Sequence, residues 1–306
     1  MTKLFLKTWR KVVTSWAAYA AWSVGFRLLS LTLLTYFLIS AKSSFQDISD
    51  SYSANELTLL GLGTFCFILL LLALHPLTTT TREELVSGYR LEKQFIPGLL
   101  QGSILAVSLV LAFLIAGFYS YVGFFIQLEG FPLAMLSIVL RTSALLGLVV
   151  GEEYVFRQRI QNHLRSQYPD LTSVLLTSAL YLGLKIIQFD LGWLQSFTLF
   201  LLSISLGLRA LENIDVLRGA GYWAGLLLVF HPLLSLPVLG SEFQGVLTVK
   251  YDLQSDSIGD GARWITGGLG GPLSSMGLQL ILLADIANQF VKNKKLLGSG
   301  WLRRIN

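Results

Sequence analysis

Long apolar runs separated by short polar links dominate this chain. A run of about twenty residues with few charges reads as a membrane-spanning helix, because that length at 1.5 Å per residue crosses the hydrocarbon core. Eight such runs are predicted, over 22–40, 57–77, 96–126, 131–165, 171–189, 191–211, 219–239 and 272–291. The third is long enough to tilt or to begin outside the lipid. The fold class is all-α, a polytopic transmembrane helical bundle of about eight spans. Residues 1–21 carry Lys3, Lys7, Arg10 and Lys11 with Trp9 and Trp16. That pattern predicts a helix lying on the cytoplasmic surface, its basic face toward anionic lipid. Residues 22–291 then form a single transmembrane domain, and 292–306 a basic cytoplasmic tail. The Gly-rich stretch 266–272 lacks the Lys-Ser/Thr and the preceding strand of a phosphate loop. It reads as a flexible link ending in a Pro-started helix.

Composition agrees with the pattern. The chain is 53% hydrophobic and only 13% charged, with mean hydropathy +0.63. A soluble domain carries about 25% charged residues, so a soluble globular class is excluded. The formal charge of +5 raises a nucleic-acid reading, which the placement of the charges removes. Seventeen of the 23 Lys and Arg fall on the side of the predicted termini, three on the other, and Arg27, Arg141 and Lys185 in the apolar runs. The positive-inside rule then puts both termini in the cytoplasm. No basic, aromatic-interleaved module is left for nucleic acid. A cleaved signal peptide is not predicted, since a long basic, Trp-rich segment precedes the first apolar core. The single Cys66 allows no intrachain disulfide. His75, His163 and His231 match no zinc spacing, and no cofactor is identified.

The candidate chemistry lies at Gly151-Glu152-Glu153-Tyr154-Val155-Phe156-Arg157. The twenty residues before it, 131–150, hold one charge, Arg141. An ionised group in the bilayer costs about 2.5 kcal/mol or more, so intramembrane acids are functional candidates. Glu153 and Arg157 stand at i and i+4 and predict an ion pair. Glu152 points about 100° away and is left for another partner. Either one acid is neutralised while the other serves as a base, or the segment is a helix end reaching water. Counting from a turn at Gln167, Glu152 lies 15 residues before and Lys185 18 after. Both are then roughly 20–27 Å along their helices. His231, about 18 Å into its own span, could share that level. Pro232 removes a hydrogen bond to Leu228 and bends the helix there. His231 thus faces a water-lined cavity or bonds a neighbouring carbonyl. Lys185 has a plain reading as counter-ion to either acid. Arg27, one turn inside its span, snorkels, and Arg141 pairs or snorkels in the outer half.

Late in the fourth span, Glu152-Glu153-x-x-x-Arg157, with Ile160 and Leu164 after it, resembles the first motif of the CPBP family. These are the CAAX endopeptidases and bacteriocin-processing or immunity proteins of the membrane. The family's second motif, Phe-x-x-x-His, is matched by Tyr181 to Lys185, with Tyr for Phe and Lys for His. Its third places a His some residues after a Trp, with Asn or Asp four residues on. Here Trp223 leads to Val229 at that offset, with His231 displaced by two; Leu233 and Ser235 stand four beyond them. Gly267 to Ser275 is similar to a stretch before the family's last span. The resemblance covers roughly 90–291. It implies cleavage of a peptide bond in or beside the membrane, with the first Glu and the histidines activating water. That role falls to Glu152, with Glu153 and Arg157 holding the site and Lys185 or His231 steadying the oxyanion. A metal site would keep Glu152, Glu153 and His231, a weak set for zinc. Two functions follow. One is an endopeptidase with a variant site, acting on a membrane-anchored peptide or protein, which the retained acids favour. The other is a non-catalytic, partner-binding or scaffold member, which the replaced histidines favour. A transporter fits the buried charges, but no internal repeat of that class is seen. The expected location is the bacterial inner membrane.

Overall fold

The computed structural model describes residues 2–40, 57–67, 91–124, 131–212, 216–241, 245–251 and 261–302. Helix α1, Thr2–Ser40, is continuous over 39 residues. The boundary expected at 21/22 is not marked by a turn, because no proline or turn cluster lies within it. Its length, about 58 Å at 1.5 Å per residue, exceeds the ~30 Å hydrocarbon core, so a large part lies beyond the lipid interior. Its tryptophans dock it on the bundle. Trp9 Nε1 donates to Tyr168 Oη (2.8 Å), Trp16 Nε1 to Leu180 O (3.0 Å) and Trp22 Nε1 to Gly63 O (2.7 Å). Lys7, Arg10 and Lys11 stay exposed.

Helix α2 is described over Leu57–Phe67. Helix α3, Ile96–Ile115, is entered through a π-helical turn, Leu91–Phe95. Strand β1 is Tyr119–Phe124. Helix α4 runs Phe131–Glu153, widens to π-helical turns over Tyr154–Gln161, and ends Asn162–Arg165. Helices α5, Asp170–Gln188, and α6, Trp193–Glu212, follow. Helix α7, Leu217–Leu228, continues into a π-helical turn, Val229–Leu233. Strand β2, Leu247–Tyr251, pairs antiparallel with β1. The short α8, Gly261–Thr266, two 3₁₀ turns and α9, Met276–Leu302, complete the described chain.

Among the described residues four helices are long and apolar enough to cross a membrane: Glu92–Ile115, Met135–Arg165, Asp170–Gln188 and Trp193–Leu211. The architecture is that of a helical membrane protein. Two of the predicted spans extend past their helices. The run 96–126 is helical only to Ile115, because Gly117 turns the chain at φ 75° and β1 follows. The run 219–239 ends its helix at Leu233, just after Pro232. Beyond it Ser235 takes φ 56°, held by Gly245 N donating to its Oγ (2.7 Å) and Oγ donating to Leu247 O (2.7 Å). The links 41–56 and 78–90, the second half of 57–77 with His75, and 303–306 lie outside the described residues.

Helix α7 is the axis. Nearly every side chain from Leu217 to Leu227 is buried, as expected of a helix apolar all round. It meets α3 through two small-residue pairs, Gly98 with Gly102 and Gly221 with Gly225, each one turn apart. A Cβ at any of the four would strike the partner's backbone. In lipid such stripes let backbones approach closely where no hydrophobic force draws helices together. The Gly-rich segment is also not the flexible link expected. It folds as tight turns with Leu273 and Ser275 fully buried, and a Cβ at Gly271 would strike Pro237 O. Pro272 starts a 3₁₀ turn, and α9 begins at Met276.

Candidate functional site

Glu152, Glu153 and Arg157 sit where α4 passes from regular to wide turns. Tyr181 and Lys185, i and i+4 on α5, share one face. That face meets Glu152 on both oxygens. Lys185 Nζ lies 2.5 Å from Oε1, and Tyr181 Oη donates to Oε2 at 3.0 Å. Glu152, Tyr181 and Lys185 are 1%, 1% and 0% exposed, so water has no access to the carboxylate. The Lys185 ammonium also stands 5.4 Å from the ring centroids of both Tyr181 and Phe189. A buried cation over aromatic faces gains from their quadrupoles.

Glu153 faces the other way. Arg157 Nε lies 3.5 Å from its Oε1, the pair anticipated from the i,i+4 spacing. Arg157 Nη2 donates to Ser203 O (2.8 Å) and Ser203 Oγ (2.7 Å) on α6. One turn on, Gln161 Nε2 donates to Gly207 O at 2.9 Å. Two rungs thus tie α4 to α6 at matched spacing. Among the described residues Glu153 Oε2 has no hydrogen-bond partner. It lies against α7 at Gly219, where an added Cβ would come within 3.0 Å of it. A ring relay, Tyr19 on Phe156 (6.3 Å) and Phe156 on Tyr181 (5.1 Å), covers the cluster from α1.

Of the five candidate residues, Glu152 and Lys185 are in contact, and Glu153 and Arg157 form the second pair. The contact found for His231 is elsewhere. It is buried, and its Nδ1 lies 3.4 Å from Leu236 O, the carbonyl partner that the plain reading anticipated. Arg141 is close enough to act on it electrostatically. Arg27 donates to Gln188 O at the C-terminus of α5 and stands 5.3 Å from the Phe189 ring, so it caps a helix end as well as sitting in the apolar run. Among the described residues no group of three or more His, Cys, Asp and Glu is brought together. A metal does not fit the acids as they stand, because Lys185 and Arg157 already supply the charge it would neutralise.

Ser203 and Gly219 are site residues that the sequence did not single out. Tyr181 entered only as the motif position one turn before Lys185, with no contact assigned to it. A second buried cluster was missed altogether. Arg209, counted with the cytoplasmic charges, is buried on α6, with Nη2 2.6 Å from Asp285 Oδ1 on α9 and Nη1 donating to Gln101 Oε1 at 2.9 Å. Ser205 donates to the other Asp285 oxygen, and the guanidinium lies 4.1 Å from the Tyr222 ring centroid. No family model, curated protein or solved structure matches this chain.

Proposed function

We propose that this chain is a non-catalytic membrane protein, similar to the CPBP family, that serves as a partner-binding or scaffold subunit for membrane-anchored peptides or proteins. One observation carries the reading. Both oxygens of Glu152, the residue that would activate water, are engaged inside a dry cluster by Lys185 and Tyr181. A carboxylate that neutralises a buried ammonium 2.5 Å away is a poor base, since taking a proton would strand that cation in low dielectric. The test is cleavage of membrane-anchored peptide libraries by the purified protein and its Glu152→Ala variant. Neither is expected to cut. Cutting by the parent that Glu152→Ala abolishes would overturn the proposal and establish the endopeptidase. That second reading draws on the wide turns Tyr154–Gln161 directly after the acids, since π-helical segments are frequent at functional sites. It requires Lys185 to leave Glu152 during turnover.

The proposed topology is eight spans with both termini in the cytoplasm, in a bacterial inner membrane. Arg157 and Arg209 are buried and drop out of the charge count, which leaves fifteen Lys and Arg against three. That is still a strong positive-inside bias. Reporter fusions after residue 306 and near Lys250 are expected on opposite sides; the same side for both would sink the eight-span arrangement.

A further inference from the structure

A cavity of about 180 Å³ opens between three helices on the far side of α4 from Glu153. Thr14, Ser15 and Ala18 line it from α1, Phe67 from α2, and Val155 and Arg159 from the wide turns of α4. The lining mixes two chemistries. Phe67 and Val155 are buried apolar side chains. Arg159, Thr14 and Ser15 add a guanidinium and two hydroxyls. The guanidinium of Arg159 rests 5.6 Å from the Tyr154 ring centroid, and among the described residues no carboxylate pairs with it. This sets it apart from Arg157, Arg165 and Arg209, which each have an acid. Thr14 donates to Lys11 O at 3.1 Å, which leaves its oxygen as an acceptor. Lys11, one turn before Ser15, is exposed, and Lys11 and Arg159 both lie close enough to act electrostatically on His163. The lining therefore combines a guanidinium and two hydroxyls with two buried apolar side chains, and among the described residues it includes no carboxylate.

We propose that this cavity binds the phosphodiester of an anionic phospholipid. Arg159 and Lys11 hold the phosphate, Ser15 donates to it, and Phe67, Val155 and Ala18 receive the glycerol end. The volume is below the roughly 300–1,000 Å³ of pockets that enclose a whole small molecule, so it takes a headgroup and leaves the acyl chains in the bilayer. A planar guanidinium suits phosphate through paired donors. The basic α1 brings the cavity to the charged leaflet, where each nearby cation adds to attraction for anionic lipid. Bound there, the lipid bridges α1 to the helix that bears Glu152 and Glu153.

The test is thermal unfolding of the detergent-purified protein with added phosphatidylglycerol, phosphatidylcholine, inorganic phosphate or nothing. Phosphatidylglycerol is expected to raise the melting temperature by several degrees more than phosphatidylcholine, and the gain should shrink at high salt. Arg159→Gln is expected to weaken the apparent affinity at least tenfold while melting normally in detergent alone. Should Arg159→Gln fold poorly, Ala18→Phe adds bulk to the cavity lining, leaves the charges in place, and is expected to remove the same gain. Lys292→Gln, at an exposed basic position away from the cavity, is expected to keep it. Equal gains from both lipids, or an undiminished gain in both Arg159→Gln and Ala18→Phe, would overturn the site. An equal gain from inorganic phosphate alone would make it a free-anion site and overturn the lipid assignment.

Discussion

The Glu152–Lys185 pair joins α4 to α5, and the Arg209–Asp285 pair joins α6 to α9, at 2.5 and 2.6 Å. The first belongs to a stretch that resembles a protease motif; the second matches no motif. Their construction is nonetheless the same. In each, a cation meets one carboxylate oxygen and a hydroxyl donates to the other: Tyr181 for Glu152, Ser205 for Asp285. In each, the cation also lies over aromatic rings, Tyr181 and Phe189 in one and Tyr222 in the other. The difference is depth, with side chains 0% and 1% exposed in the first pair and 3% and 9% in the second. A carboxylate capped on both oxygens thus occurs twice in this bundle, at Glu152 and at Asp285, whereas the buried Glu153 meets its cation on one oxygen only. The motif cluster looks like a more deeply buried copy of a structural joint.

Breaking the deeper joint should cost most. Lys185→Met leaves Glu152 without its counter-ion, and losing one partner of a buried pair costs about 3–5 kcal/mol. A large drop in melting temperature in detergent is expected. Adding Glu152→Gln should recover much of it, as coupled partners do. Arg157→Ala is expected to fall in the same range of about 3–5 kcal/mol, since it strands Glu153 as well as Ser203. If Lys185→Met melts normally but abolishes peptide cleavage, the likeness between the two clusters is broken and the motif is an active site.

The shallower joint should cost less. Arg209→Met leaves Asp285 with Ser205 and some access to its surroundings, so about 1.5–3 kcal/mol is expected, the worth of hydrogen bonds to a charged group. A loss larger than that of Lys185→Met would reverse the ranking and show that depth does not set the cost.

The two clusters were unequally legible in the sequence for a physical reason. Glu153 and Arg157 are local, one helical turn apart, and Lys185 could be brought level with Glu152 by counting residues from a single turn. Arg209 and Asp285 lie 76 residues apart on helices that are not consecutive, so no turn fixes their relative depth. Arg209 also stood near a helix end, where a basic residue reads as a cytoplasmic charge. The same limit hid the contact of Arg157 with Ser203. The strands were not read from the sequence, β1 lying inside the predicted span 96–126 and β2 in the link between the spans 219–239 and 272–291, because Tyr, Val and Phe suit a strand and a span alike. For His231 the sequence left two readings open, a cavity-facing ring or a bond to a neighbouring carbonyl, and the contact with Leu236 O matches the second.

The finest test removes one hydroxyl from each cluster. Tyr181→Phe leaves a Glu152 oxygen without its donor, and Ser205→Ala does the same to Asp285. Each should cost about 1 kcal/mol, near the net worth of a single hydrogen bond. If both joints are structural, the two losses should be similar, and neither should change any binding or cleavage the protein performs. The double variant then asks whether the clusters are independent. Among the described residues no hydrogen bond or ion pair joins them and they share no partner, but Ser203 and Ser205 stand two residues apart on α6 and serve one cluster each. Alternate residues on a helix point about 200° apart, so α6 lies between the clusters as a wall between two rooms. Independent sites add to within about 0.3–0.5 kcal/mol. The double variant is therefore expected to melt at the sum of the two single losses. A departure beyond about 1 kcal/mol would mean that α6 shifts as a body when either cluster loosens. The motif cluster would then differ from an ordinary joint after all, because a change at Glu152 would be felt at α9.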